Sequence, residues 1–302
     1  MYRMPTSLFQ KRLPSLPIIF ISLFIAAIGI GCGGGGAPAP APVDQDASGL
    51  YNGAGTGTFT GVNSSNEIIL TNVKGIIDGT RFMFFNADSS NADSNVLFDG
   101  QINSITGTDF VGSATVYQGG RVASTAVQVS GTVNSRSQIQ LTFAKASNGN
   151  FLSGTVNGTF SDEYDKAATF ARVVFNGGNG DWGWLQANSV YMSIDGMTME
   201  ELGFSESKKS YSSETSNSDS SEFCTHNGEV DISLSGKNIY NITNEDIIDV
   251  IFPGPTTAPC TDLNPTTGYT GFFTAIDGTN TDDTLWYVIA NGTYAVFAIV
   301  TR

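Results

Sequence analysis

The chain has 302 residues, with 14 Lys+Arg against 28 Asp+Glu, a formal charge of −14 at pH 7, one histidine and three cysteines. So acidic a chain has no basic surface with which to follow a nucleic acid backbone, and nucleic acid is excluded as a partner. One histidine and three cysteines also leave little from which to build a structural zinc site, which takes four nitrogen or sulfur ligands.

In chain order, Arg3, Lys11 and Arg12 come before an uncharged, mostly apolar run from Ile18 to Ile30. That run is too short to stay in a bilayer, because a spanning helix takes about 20 residues. It ends in Ile28-Gly29-Ile30-Gly31, then Cys32, then Gly33 to Gly36 and Ala37-Pro38-Ala39-Pro40-Ala41-Pro42. The segment resembles a bacterial lipoprotein signal, with Gly29 standing where such signals usually carry Leu and Met4 as a second possible start. The resemblance implies that residues 1–31 are removed, that lipid is attached to Cys32, and that the membrane is contacted through it. Gly33 in place of aspartate after the cysteine implies the cell outer membrane by the same resemblance, with the leaflet left open. Removing residues 1–31 leaves 271 residues with 11 basic against 28 acidic side chains, a formal charge of −17.

Residues 32–48 read as a tether, glycine for flexibility and then stiff Ala-Pro repeats. From Leu50 onward Thr, Val, Ile, Phe and Tyr recur between Asp-Gly or Asn-Gly pairs, at 78–79, 99–100, 195–196, 277–278 and 291–292, which suit turns between antiparallel strands. Alternating patterns predict strands over Phe110–Tyr117, Ala126–Val133, Gln138–Phe143, Val230–Leu234 and Tyr294–Thr301. The fold class expected is all-β.

The body also repeats itself. Ile77-Asp78-Gly79 matches Ile194-Asp195-Gly196, and Gly100-Gln101-Ile102-Asn103 with Gly107 resembles Gly228-Glu229-Val230-Asp231 with Gly236. Asn157-Gly158-Thr159-Phe160 pairs with Asn291-Gly292-Thr293-Tyr294, and each half is expected to close on an apolar strand ending in Arg172 or Arg302. This predicts a first β-module at 49–172 and a second at 173–302, opened by Trp182 and Trp184, with a Ser-rich loop at 205–222 inserted in the second. Each module must hide its strand edges, so two tandem small antiparallel up-and-down β-barrels are expected, with β-sandwiches as the alternative.

Cys224 and Cys260 are an isolated pair in an exported chain and are expected to form a disulfide. His226 is the sole histidine; no Gly-x-Ser-x-Gly elbow accompanies it, and it is read as a polar residue in a loop beside that disulfide. The acidic clusters Asp88–Asn95 and Asp277–Asp283 lack the ligand order of an EF-hand loop and read as solvated hairpin loops. Asp162-Glu163 and Glu200-Glu201 are adjacent carboxylates, and strand neighbours point to opposite faces. No catalytic residue, metal site or cofactor is expected.

From Trp182 through Cys224-x-x-x-Gly228, Asn238-x-Tyr240, Cys260, Tyr269-x-Gly271-Phe272 and Arg302, the second half resembles poorly characterised proteobacterial outer-membrane lipoproteins with small β-barrel domains. The resemblance implies lipocalin-like or transferrin-binding-protein-like barrels and no catalytic residues. The expected function is a non-catalytic, lipid-anchored envelope protein whose partner is an unknown protein or small-molecule ligand. The alternative is an inhibitor of an envelope hydrolase such as lysozyme, since an acidic body attracts a basic enzyme.

Overall fold

The computed structural model describes residues 42–61, 65–87, 94–173, 197–205, 210–217, 223–251, 257–258, 267–277 and 284–301. Eight strands open the body: β1 (Gly49–Thr60), β2 (Ser65–Asp78), β3 (Arg81–Asn86), β4 (Val96–Thr106), β5 (Asp109–Gln118), β6 (Arg121–Asn134), β7 (Gln138–Phe143) and β8 (Phe151–Phe160). Each pairs antiparallel with the next and β8 returns to β1, which closes an up-and-down barrel. A 3-10 turn (Asp162–Asp165) and a four-residue helix, α1 (Phe170–Val173), follow. Arg172 therefore ends the first half in a helix, where a strand was expected.

The second half contributes β9 (Met197–Ser205), β10 (Ser210–Asn217), β11 (Phe223–Ile232), β12 (Tyr240–Ile251), β13 (Thr257–Ala258), β14 (Tyr269–Ile276), β15 (Thr284–Ala290) and β16 (Ala295–Thr301). They form an antiparallel sheet in the order β16-β15-β14-β12-β11-β10-β9, with β13 paired to β12. The serine-rich stretch expected to be a loop thus contains β10, hydrogen-bonded on both sides.

The barrel interior follows from period-two patterning. In β7, Ile139, Leu141 and Phe143 are buried while Gln138, Gln140 and Thr142 are exposed. The inward residues form one cluster that includes Phe59, Phe82, Phe84, Phe98, Phe110, Phe143 and Phe151. Glycine opposite phenylalanine makes room for these rings: Gly75 faces Phe84 and Gly100 faces Phe82 across the ladder. A Cβ at Gly75 would lie 2.2 Å from the Phe84 ring, and one at Gly100 would lie 2.4 Å from Phe82. Asp99-Gly100, expected as a turn, is therefore strand interior, whereas Gly79 does turn the chain, at φ +61.

One wall of the barrel is apolar on its outer face too. Leu50, Ile76, Met83, Phe85 and Leu97 point outward and pack with Ile239, Phe272, Trp286, Val288 and Phe297 of the second half in a shared core. Residues 42–302 accordingly form one compact unit. Three barrel cations lie over second-sheet aromatics along this seam: Lys74 over Trp286 at 5.2 Å, Arg81 over Phe272 at 5.3 Å and Arg121 over Tyr294 at 5.7 Å.

The end of the predicted tether is also fixed. Gln45 donates its amide to the Gly107 carbonyl, Asp44 accepts from the Gly107 amide, and Ser135 donates its hydroxyl to the Asp46 carbonyl. Residues 44–46 thus strap across the β4–β5 and β6–β7 turns. Among the described residues, no helix is long and apolar enough to cross a membrane.

Candidate functional site

Cys32 and Cys260 lie outside the described residues, as do Trp182, Trp184, Asp88–Asp93 and residues 278–283. Cys224 lies on β11, its backbone opposite Asp249 of β12. Glu163 sits in the 3-10 turn and accepts from Lys166 at 2.8 Å, with Arg172 3.6 Å away. It belongs to the ion pairs that join this turn to the second sheet, where Lys166 also reaches Asp277.

His226 is not in a loop. It sits on β11 with its side chain fully buried, two and four residues before Gly228 and Val230 on the same face. Its Nδ1 lies 2.9 Å from Oε1 of Glu245 on β12, and the Tyr287 hydroxyl of β15 donates to that same oxygen at 2.5 Å. Glu245 reaches this position because the β12–β14 ladder slips beside it, with Asn244 at φ +51. Burial pushes the His226 imidazole down to about 3 and holds the Glu245 carboxyl well above its usual value, despite the Tyr287 hydrogen bond. Burial, with Glu245 beside it, likewise raises Tyr287. Both shifts favour an uncharged pair sharing one proton. The triad is buried, with Tyr287 part of the apolar cluster that contains Val230, Ile242, Tyr269 and Ile289.

The accessible polar chemistry gathers instead at the seam, around Arg81. Its guanidinium donates to both Asp99 oxygens, at 3.3 and 3.4 Å, and to the Thr270 hydroxyl and carbonyl at 3.1 and 3.2 Å. Burial raises the Asp99 carboxyl, and Arg81 opposes that shift. On one side of Arg81 is a notch of about 440 Å³ lined by Asp99, Gln101, Ser113, Thr115 and Thr270. On the other is a groove of about 650 Å³ bounded by Asp78, Asp231, Ile232, Asn241 and Phe272, with the fully exposed Leu234 at its rim. Asp78 closes that rim by accepting from the Ser233 hydroxyl at 2.7 Å.

Among the described residues, no group of three or more His, Cys, Asp or Glu side chains is placed to hold a metal ion. No protein-family model matches the chain, and no curated protein is significantly similar to it. Sequence reasoning missed both constellations. Counting back by twos from Val230 puts His226 inside, so that signal was present; Arg81 carried none, since its partner Thr270 lies 189 residues away.

Proposed function

We propose that this is a lipid-anchored envelope protein, held in the outer membrane through Cys32, whose β-body binds a protein or small-molecule ligand without catalysis. The observation that carries the reading is the filled barrel. Phe82, Phe84, Phe98, Phe143 and Phe151 occupy the volume in which a hollow barrel holds its ligand, so recognition falls to the outer surface and its seam.

The test is purification of the full-length protein from its native envelope, with mass spectrometry of what accompanies it. Enrichment of a specific protein or small molecule is the expected outcome, and recovery of the protein alone would overturn the reading. A Cys32→Ala variant is expected to leave the membrane fraction; continued sedimentation with membranes would remove the anchor.

A further inference from the structure

The notch beside Arg81 is built on rigid strands. Arg81 faces Gln101 across the β3–β4 ladder and Gln101 faces Ser113 across β4–β5, while Asp99 faces Thr115 in the adjoining row. Alternation sends these five side chains outward together, in columns about 5 Å and rows about 7 Å apart. Between them Gly100 and Ala114 turn inward, and Gly100 adds no side chain to the floor. The β5–β6 ladder slips at Thr115, opposite Ala126 at φ +54, which opens the wall at this point. Thr270 of the second sheet supplies the far side, so the notch exists only when the seam is formed.

Two chemical properties narrow what fits. Arg81 and Asp99 neutralise each other, so an anion would have to displace Asp99 and a cation would have to displace Arg81. The side chains of Gln101, Ser113 and Thr115 line the notch, and each both donates and accepts. An apolar ligand would strand all three. We propose that the notch is a binding site for a neutral saccharide, whose hydroxyls likewise donate and accept and whose ring size suits the spacing of the grid. This rests on the reading of the protein as a binding protein and names a site and a ligand class for it.

The test uses the full-length protein in a sugar-free detergent, on an array of neutral oligosaccharides. β-1,4-linked N-acetylhexosamine chains stand for cell-wall glycan, and neutral hexose chains for outer polysaccharide. Binding to one of these classes is expected, unchanged between about 0.05 and 0.5 M salt because no net charge is engaged. Thr115→Val and Gln101→Ala should each weaken it by about fivefold or more, the loss of one neutral hydrogen bond, with no change in melting temperature. Absence of binding across the array would overturn the proposal, as would binding that both variants leave intact or that falls with salt. If no saccharide binds while a native partner still copurifies with the protein, the saccharide notch is overturned and the wider binding reading stands.

Discussion

Inside the barrel, Phe98 lies flat on Phe143 at 4.1 Å and edge-on to Phe151, and the one titratable side chain in that cluster, Tyr51, donates to the Ala47 carbonyl. Inside the second sheet, an equally buried histidine, glutamate and tyrosine share a single carboxylate oxygen. Two antiparallel meanders of one chain therefore specify their interiors by different physics. The barrel interior depends on volume, because rings must meet glycines; the second sheet adds to its apolar cluster a buried group whose burial favours the uncharged forms of His226 and Glu245.

The largest effect that would sharpen this contrast is a cavity in the barrel. Phe98→Ala should cost about 3–5 kcal/mol in chemical denaturation, with little variation between pH 5 and 8. Glu245→Ala, which removes the oxygen that His226 and Tyr287 share, should cost about 3 kcal/mol in chemical denaturation, and an unchanged midpoint would show that the shared oxygen carries no stability. Gly75→Ala should cost about 1–3 kcal/mol by driving a methyl into Phe84, with Phe84→Leu in the same chain restoring part of it.

The pH response should separate the two halves. His226 has a folded value depressed to about 3, so the stability tied to it is full above its unfolded value of about 6.5 and is lost as pH falls toward 3. Glu245 is raised, so its contribution is present below its unfolded value and is lost as pH rises through the folded one. Amide exchange in β11, β12 and β15 should therefore quicken on both sides of an intermediate pH, with a slope of up to about 1.4 kcal/mol per unit, while β3, β4 and β7 stay flat. Uniform exchange across pH would show that the sheet is not held by its proton. Smallest is Arg81→Met, which removes the Asp99 pair and the stack on Phe272 at a half-buried site and should loosen exchange along the seam by about 1 kcal/mol.

Much of the fold was readable because period-two alternation is local. β7 matches its expected bounds, and the turns at Gly79 and Gly292 fall where dipeptide chemistry placed them. The dipeptide signal failed at Asp99-Gly100 because glycine there serves packing: its missing side chain admits the Phe82 ring, and Arg81 takes the neighbouring carboxylate. The repeat held where a strand runs into a left-handed glycine, at Gly107 and Gly236. It slipped at Asn157-Gly158-Thr159-Phe160, which is strand in β8, while its counterpart Asn291-Gly292-Thr293-Tyr294 turns between β15 and β16. The outer apolar face of β3 was visible as an unbroken Phe82-Met83-Phe84-Phe85 run, but what covers it comes from more than 150 residues further on. No local pattern announces that.

The cations over Trp286, Phe272 and Tyr294 have one more consequence. Together with the ion pairs of Arg136, Lys166, Arg172 and Lys237, they commit seven of the eleven basic side chains after position 31 to contacts within the molecule. Much of the body's positive charge is thus already paired within the molecule, and its excess of carboxylates is left for mobile counter-ions to balance. Neighbouring copies that carry this excess of negative charge would repel one another most strongly at low salt.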